Sequence, residues 1–322
     1  MPLISVVLRL SDGCPGLRDC LDSLLAQSLG VDRIEVCVDE EGRGEEALAR
    51  LDSIASPLVL RHPPRRNSVS PVGPNAGLFA ARGRIVFFMS GNDVLEARCL
   101  EEHHLTHEEF PDPHVCVLGY TRLRGEAARS PLMRSLVGSI CVDPDRRETS
   151  PVSALDGSAI FGQIPSFKRD FLLEQGALNS RFPSGFEWSE LGYRLHRVGL
   201  SMIRNADAMI DMTRPIGLEN ACVHCYRQGQ SDRILVQVHP EPEARAWAQI
   251  DHWESEWELV EPIFGDIMKS ARMLDRFAQE RVRFELPIDE LATRLLHRAY
   301  AAAFRANRLL GAIDGVVNGI KS

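Results

Sequence analysis

Four residues that follow an apolar run carry a dense set of oxygen groups. Residues 85–89 (IVFFM) are too few for a helix of their own, and unbroken apolar runs of this length are typical of a central parallel strand. The run ends in Ser90-Gly91-Asn92-Asp93, whose carboxylate and neutral side-chain oxygens suit a ribose and a hard cation such as Mg²⁺ or Mn²⁺. In open α/β sheets ligands gather beyond the carboxyl ends of strands, where this turn would lie. The alternative is a plain polar turn, with Asp93 near the N-cap of a helix that starts near Leu95.

A second acidic cluster follows another predicted strand. Residues 34–38 (IEVCV) are rich in β-branched side chains and stop at Asp39-Glu40-Glu41-Gly42. We expect the two clusters along the same sheet edge. One acidic side chain there can accept from a base or ribose hydroxyl, and the other can hold the cation that neutralises a diphosphate. The pattern indicates a nucleotide site. Neither GxGxxG nor GxxxxGK(S/T) occurs in the sequence, so a dinucleotide dehydrogenase or a P-loop enzyme has no support.

A third group of charged residues lies on a helix predicted after Gly185. Glu187 and Glu190 are three residues apart and share a face, as do Glu190 and Arg194 at the i, i+4 spacing. One interpretation is a solvated helix face with an ion pair. The other is a carboxylate that acts as a general base, which requires hydrogen-bonding reach of the proton it accepts and a pKa suited to neutral pH.

Two histidine-containing stretches invite metal-site interpretations. Residues 222–225 (CVHC) have the CxxC spacing of a zinc site, but the sequence offers no evident second ligand pair at a fixed distance. His103 and His107 are four residues apart on one helix, and we interpret them as part of a solvated helix surface.

The elements that must position these groups alternate along the chain as in a parallel sheet with crossover helices. The predicted strands are residues 4–8, 34–38, 58–61, 85–89 and 114–120. The predicted helices are residues 17–27, 44–53, a short run that ends at Gly83, a helix from near Leu95, and residues 168–175. Residues 62–74, with their four prolines, are predicted as a loop, and residues 122–151 as an irregular connection.

Composition restricts the class of protein. Hydrophobic residues at 44% and charged residues at 25% are ordinary globular values, and 322 residues suffice for one large α/β domain with an appendage. A net charge of -8 argues against a nucleic-acid-binding surface. The sequence has no run of 18 apolar residues and no typical secretory signal. Eight cysteines without regular spacing predict reduced thiols in a cytoplasmic protein.

Four stretches together resemble an inverting family-2 glycosyltransferase with the GT-A fold. The first joins ISVVLRLSDG to LRDCLDSLLAQSL, and the second is IEVCVDEEG, with its acidic pair and glycine. The third is NAGLFAARGRIVFFMSGND, and the fourth is FEWSELGYRLHRVGL. The matches span roughly residues 4–200, and their order and spacing are more specific than any one of them.

The sequence also departs from that family's pattern. The family commonly has three aspartates where this chain has Ser90, Asn92 and Asp93, so Asp93 is the carboxylate left for a metal. The family's usual catalytic-base aspartate, directly after Glu187, is replaced by Trp188, whose indole cannot take a proton. Glu187 or Glu190 would then serve as the base, or the chain works by an unusual mechanism, or it is inactive.

The resemblance implies a metal-dependent transfer of a sugar from a nucleoside-diphosphate sugar to an acceptor hydroxyl. A UDP-sugar is the favoured donor. Carbohydrate, lipid-linked and protein acceptors all stay open, and the setting would be glycan, polysaccharide or glycoconjugate biosynthesis. The alternative is an inactive GT-A-fold protein with a binding or scaffolding role. On the nucleotide, Glu40 would contact the base and Asn92 the ribose. Asp93 and His224 would bind Mn²⁺ or Mg²⁺, Arg227 would contact the diphosphate, and Asp156 would contact sugar hydroxyls. A turn aspartate before glycine is the simpler account of Asp156.

The C-terminal part reads differently from the rest. We predict a GT-A catalytic domain over residues 1–242, with a nucleotide-binding half (1–120) and an acceptor and donor-sugar half (121–242). Residues 243–322 form a helical region, with amphipathic segments at 247–263, 267–284 and 288–310. These helices can pack on the catalytic domain, join subunits into a homo-oligomer, or lie at the inner face of the membrane.

Overall fold

The computed structural model describes residues 2–10, 15–40, 59–61, 75–136, 150–152, 164–182 and 185–317. The chain divides into two compact units. Unit 1 comprises Met1–Arg122, Gly138–Ser180 and Glu190–Met212, and unit 2 comprises Leu123–Val137, Arg181–Ser189 and Thr213–Ser322. Residues 213–242, which the sequence assigned to the catalytic domain, lie in unit 2, and the functional division at residue 242 stays a prediction.

Among the described residues, nine strands form one mixed sheet. The strands are β1 (Ile4–Leu10), β2 (Ile34–Glu40), β3 (Val59–Arg61), β4 (Ile85–Ser90), β5 (Val94–Leu95), β6 (Val115–Leu123), β7 (Ser150–Val152), β8 (Pro165–Lys168) and β9 (Ser201–Met212). Their order across the sheet is β3-β2-β1-β4-β8-β6-β9-β5, with β7 paired to β9. The first four strands in this order are mutually parallel, as the sequence predicts.

Twelve α-helices fall within the described ranges. They are α1 (Leu17–Leu25), α2 (Ala76–Ala80), α3 (Cys99–Glu109), α4 (Gly125–Arg129), α5 (Pro131–Ser135), α6 (Arg169–Glu174), α7 (Trp188–Arg197), α8 (Leu218–Val238), α9 (Pro242–Ala248), α10 (Trp253–Val260), α11 (Phe264–Arg283) and α12 (Glu290–Val317). No helix in the described part of the chain combines the length and the apolar character needed to cross a membrane.

The centre of unit 1 is the pair of parallel strands β1 and β4. β4 opens with five consecutive apolar residues, and β1 is apolar except for Ser5 and Arg9. Both strands are almost wholly buried, as expected for strands covered on two faces. Their register pairs Ile4 with Ile85 and Arg9 with Ser90, so the two strands end at the same edge of the sheet. The predicted strand 85–89 is thereby confirmed, and the oxygen-rich turn follows it directly.

A buried carboxylate fixes the start of β4. Glu35 Oε1 accepts hydrogen bonds from Ser5 Oγ (2.5 Å), the amide of Arg82 (2.6 Å) and the amide of Gly83 (3.2 Å). A Cβ at Gly83 would lie 2.6 Å from the backbone nitrogen of Ser5, so only glycine fits this turn. The turn therefore holds the strand that carries Asn92 and Asp93 against β1 and β2.

The sheet is mixed rather than parallel throughout, because β8 lies between β4 and β6 and is antiparallel to both. Two predictions about single elements were wrong. The helix expected from Leu95 begins at Cys99, because Val94 and Leu95 pair with β9 as a short strand. The connection after residue 122 is not irregular throughout, since it contains α4, α5 and β7. The predicted helix 44–53, the predicted loop 62–74 and residues 153–163 lie outside the described residues.

The predicted solvated surface at His103 and His107 is also wrong. Both imidazoles are buried, and both approach the hydroxyl of Ser166, with His103 Nδ1 at 2.7 Å and His107 Nε2 at 2.9 Å from Ser166 Oγ. Burial lowers the pKa of each histidine to about 3, and the positive charge of Lys168 adds to the effect on His107. The pair is therefore neutral at physiological pH and ties α3 to β8.

Unit 2 is built on the crossing of α8 and α12. A Cβ at Gly229 would overlap the carbonyl oxygen of Arg308, and one at Gly311 would overlap that of Tyr226, so two glycines permit a close helix approach. Arg308 Nε donates to the buried carboxylate of Asp232 at 2.6 Å. The C-terminal helices thus share a core with α8, which carries His224 and Arg227.

Candidate functional site

The turn after β4 is closed by its own backbone and side chains. Asp93 Oδ2 accepts from the amide of Ser90 at 2.7 Å, and the amide of Asp93 donates to the carbonyl oxygen of Ser90 at 3.1 Å. The amide of Asn92 donates to Ser90 Oγ at 3.3 Å. The Asp93 carboxylate therefore does not cap a helix, and the N-cap interpretation of this residue was wrong. It folds back on the end of the strand and accepts a hydrogen bond from the backbone amide of Ser90.

Asn92 joins this turn to the start of α1. Its Oδ1 accepts from the amide of Gly16, the residue before α1, at 3.1 Å. A Cβ at Gly16 would lie 3.1 Å from Asn92 Oδ1 and 3.2 Å from Asn92 Cα, so the two loops are in close contact. The side-chain oxygen of Asn92 is thus occupied by a contact within the fold. Its side-chain NH2 group remains suited to a ribose hydroxyl.

The electrostatic state of Asp93 is unusual for a turn residue. Burial raises the pKa of its carboxyl to about 6, and the hydrogen bond from the Ser90 amide lowers it in part. A nearby cation would favour the charged form. Among the described residues no group of three or more His, Cys, Asp or Glu side chains could hold a metal ion. A single carboxylate still fits Mg²⁺ or Mn²⁺, because such ions are often held by one or two carboxylates together with substrate phosphates and water.

Glu40 lies at the end of the neighbouring strand. The parallel register pairs Arg9 with both Asp39 and Ser90, and Leu10 with Glu40, so the backbones of Glu40 and Ser90 flank the end of β1. This placement agrees with the expected row of strand ends. The Glu40 side chain and the whole of Asp156 lie outside what the structure describes, and their roles stay predictions.

A charge cluster beside the turn was not found by sequence reasoning. Val94 pairs with Asp211 across β5 and β9, and Arg122 Nε donates to Asp211 Oδ1 at 2.8 Å. The same guanidinium also bonds the carboxylate of Glu96. Arg122, held in these two ion pairs, therefore lies close to the Asp93 turn in the sheet. No sequence signal could have revealed it, because 89 residues separate Arg122 from Asp211.

Glu190 is fully engaged by an arginine one helical turn away. Its Oε1 accepts from Arg194 Nε and its Oε2 from Arg194 Nη2, each at 3.0 Å, and the carboxylate is buried. Arg194 Nη2 also donates to the carbonyl of Ala177 at 2.7 Å, and Nη1 bonds that of Gln175. The ion pair predicted from the i, i+4 spacing is confirmed, and it holds the 175–177 turn rather than a solvated face.

Asn75 holds the same turn from another element. Its Nδ2 donates to the carbonyl of Leu178 at 2.6 Å, and its Oδ1 accepts from the Leu178 amide at 2.9 Å. Ala177, between the two attachment points, adopts a left-handed backbone with φ of 58°. The turn is thus fixed by both Arg194 and Asn75, which places two of the recognised sequence stretches in one hydrogen-bonded network.

The remaining candidate residues lie in unit 2. Glu187 is buried and directly precedes α7, so it sits outside the helix on which we predicted it. The rings of Phe186 and His224 pack with centroids 4.7 Å apart, which brings the Glu187 backbone near His224. Burial lowers the pKa of His224, and the charge of Arg227 on the same helix adds to this. A neutral imidazole is the form that binds a metal.

The described residues do not complete a zinc site around 222–225. A structural zinc takes four ligands, and no group of three or more His, Cys, Asp or Glu side chains in the described part of the chain could hold a metal ion. The structure brings together Asn92 and Asp93 in unit 1, and Phe186, next to Glu187, with His224 in unit 2.

No protein-family model matches the chain, and no curated protein matches it significantly in sequence. Solved structures do match. Residues 1–349 of Staphylococcus aureus TarS, in complex with UDP-GlcNAc, share 15% identity over 98% of this chain and 92% of that chain, with a TM-score of 0.51. The mannosyltransferase PcManGT from Pyrobaculum calidifontis, in complex with GDP-Man and Mn²⁺, shares 16% identity over 94% and 86%, with a TM-score of 0.54. The chain therefore has the GT-A type fold of these glycosyltransferases, a mixed sheet flanked by helices with a helical C-terminal region.

Proposed function

We propose that the protein transfers a sugar from a nucleoside-diphosphate sugar to an acceptor hydroxyl with inversion, and that the transfer depends on Mn²⁺ or Mg²⁺. The observation that carries this proposal is the Asp93 carboxylate, which is held by a backbone amide at the carboxyl end of a central parallel strand. The likeness in fold to proteins crystallised with UDP-GlcNAc and with GDP-Man and Mn²⁺ supports it. A UDP-sugar is our favoured donor.

The donor side divides into a nucleotide part and a diphosphate part. Asn92 offers its side-chain amide to the ribose, and Glu40 would accept from the base. Asp93 and the neutral imidazole of His224 would bind the cation, which when present neutralises the leaving diphosphate. Arg227 would add a charge-assisted contact to the phosphate oxygens. Asp156 would face the hydroxyls of the sugar.

Between the two carboxylates considered as the base, we favour Glu187. Both oxygens of Glu190 are held by Arg194, and this ion pair orients the guanidinium that bonds the 175–177 turn. Glu187 immediately precedes Trp188, at the start of α7, and lies next to Phe186 and its contact with His224. In the proposed step Glu187 takes the proton of the acceptor hydroxyl. The acceptor oxygen then bonds the anomeric carbon as the bond to the diphosphate oxygen breaks.

The acceptor would be a carbohydrate, a lipid-linked sugar or a protein, and the reaction would serve glycan, polysaccharide or glycoconjugate synthesis in the cytoplasm or at the inner face of the membrane. A second candidate function is binding without turnover. It is favoured by one observation, the burial of both Glu187 and Glu190, which sets each carboxylate away from solvent in this conformation.

A thermal-shift screen of nucleotide sugars with and without Mn²⁺ tests the donor assignment. A ligand that binds only the folded protein stabilises it by about 2.7 kcal/mol at a hundredfold excess over its Kd. We expect a rise in Tm with a UDP-sugar that requires the metal. Hydrolysis of that donor would then support the transferase, and binding with no hydrolysis or transfer to any acceptor would support the binding protein. No shift with any nucleotide sugar would contradict both.

A further inference from the structure

A row of exposed apolar side chains follows the hairpin formed by α11 and α12 in unit 2. Each is at least 46% exposed, and the members are Met273, Phe277, Phe284, Leu286, Leu291 and Leu295. The pairs 273 and 277 on α11, and 291 and 295 on α12, have the i, i+4 spacing that places side chains on one helix face. We call these six residues the hairpin row.

The hairpin row is not the face by which these helices join their own unit. That face is a different set of side chains, which are buried in a shared core and include Met268, Ala271 and Ala278 on α11 and Leu296, Tyr300 and Ala303 on α12. A helix with one partner buries one apolar stripe. These two helices carry a second set of apolar side chains that is exposed, and exposed apolar surface of this kind marks an interaction site.

A hollow extends the apolar surface along the same two helices. It has a volume of about 370 Å³ and is lined mainly by apolar side chains, among them Ile263 and Ile267 on one side and Ala299 and Ala302 on the other. The small alanines leave room between the helices for side chains from a partner. Aromatic residues, methionine and arginine are enriched in protein interfaces, and here Arg281 and Arg283 lie over the rings of Phe277 and Phe284.

The charges around the row decide between partners. Between residues 263 and 302 the exposed acidic side chains are Asp266, Glu280, Glu285, Asp289 and Glu290. The exposed basic ones are Lys269, Arg272, Arg276, Arg283, Arg294 and Arg298. Arg272 is already paired with Glu219 and Arg294 with Glu290, which leaves four acidic and four basic side chains outside these pairs. An anionic membrane attracts a surface through an excess of basic residues, which is absent here among the described residues, and the chain as a whole carries -8.

We infer that the hairpin row is the interface of a homodimer, with a second copy of this chain as its occupant. A two-fold axis brings the same patch of both subunits together, so the patch must complement itself. Balanced charges around an apolar centre meet that condition, because acidic side chains of one copy face basic side chains of the other. The dimer buries the hairpin row of both chains.

Sedimentation equilibrium of the full chain tests this inference. We expect a mass of twice 35.9 kDa for the wild type. Leu295→Asp and Phe277→Asp each place a charge in the centre of the row and should raise the dimer dissociation constant about tenfold or more. The matched control is Leu105→Asp, which alters a leucine of similar exposure (48%) on α3 and should remain dimeric. Thermal melts followed by circular dichroism verify that every variant folds.

Two results would overturn the homodimer. One is a wild-type chain that sediments as a monomer at every concentration, and the other is a dimer that survives both row variants. Flotation with phosphatidylcholine–phosphatidylserine vesicles provides the membrane arm. The row would be assigned to a lipid surface instead if the wild-type protein and Leu105→Asp float with the vesicles and Leu295→Asp does not. Because these readouts involve no nucleotide, they are independent of the proposed transferase activity.

Discussion

The turn after β4 and the start of α7 each withdraw a carboxylate from solvent, and they do so with different partners. Asp93 is bonded by the backbone amide of Ser90, and its burial raises its pKa to about 6. Glu190 is bonded on both oxygens by the guanidinium of Arg194. An arginine neutralises a carboxylate and occupies its lone pairs, whereas one amide does neither in full. The comparison teaches that Asp93 retains capacity for a cation and Glu190 is committed to the fold.

The largest effect expected concerns Glu187, three residues before Glu190. If Glu187 is the base, Glu187→Gln lowers turnover by about 10²- to 10⁴-fold, since the amide cannot accept the proton. Nucleotide binding should survive. Initial rates on an identified donor and acceptor, with exposed Glu174→Gln as the control, measure this. Wild-type turnover in Glu187→Gln would remove the residue from the mechanism.

Glu190→Gln should act on stability rather than on chemistry. Removing one partner of a buried ion pair leaves the other uncompensated and typically costs about 3 kcal/mol. Urea denaturation at neutral pH should show this loss, while the affinity for nucleotide at low temperature stays within a few-fold of wild type. The comparison breaks if Glu190→Gln is as stable as wild type and loses turnover, because Glu190 would then be the catalytic group.

Acid should weaken unit 1 through His103 and His107. Their folded-state pKa of about 3 lies below the ordinary 6.5, so the unfolded chain binds more protons between these values. Stability is therefore full above pH 6.5 and falls as the pH drops toward 3, by about 1.4 kcal/mol per pH unit for each histidine. Asp93, with a raised pKa, opposes this below pH 6. Denaturation at pH 6.5 and 5 measures the slope.

His107→Gln isolates the contribution of the buried histidines to the pH dependence of stability. His107→Gln cannot gain the proton, so its stability should depend on pH about half as steeply from this source. Exposed His297→Gln is the matched control and should keep the wild-type slope. An unchanged slope in His107→Gln would show that the buried pair is not the group that titrates.

The smallest effect expected is on the loop contact behind Asp93. Gly16→Ala adds a Cβ 3.1 Å from Asn92 Oδ1, so the strand-end turn must shift by a few tenths of an ångström. We expect nucleotide affinity to fall by about fivefold, or roughly 1 kcal/mol. Gly217→Ala is the control, because it also precedes a helix and its Cβ would meet nothing within 4 Å. Equal nucleotide affinities in the two variants would show that Asn92 is not part of the nucleotide site.

The sequence was sufficient to predict those elements and contacts that depend on residues close together in the chain. The apolar run at 85–89 predicts β4, the polar residues after it predict the turn, and the i, i+4 spacing predicts the pair of Glu190 and Arg194. Each of these depends on residues that are neighbours in the chain. The resemblance added the GT-A fold, which the structural likeness confirms.

The sequence was insufficient where partners are distant. The helix α3 has no clear apolar face, so its histidines read as solvated, and their burial follows from Ser166, 63 and 59 residues away. The antiparallel β8 carries that serine, and nothing in its four residues indicates its place between β4 and β6. Long-range pairing in a sheet is decided by the whole fold and leaves no periodic trace in the strand itself.

Calorimetric titration of UDP in the presence of Mn²⁺ tests the central claim most directly, namely that Asp93 holds a cation for a nucleoside diphosphate. Wild-type protein should bind UDP only with the metal. Asp93→Asn should abolish this binding, because the amide removes the carboxylate charge while the turn is retained. Exposed Asp170→Asn should bind as the wild type does. Metal-dependent binding of unchanged affinity in Asp93→Asn would contradict the account.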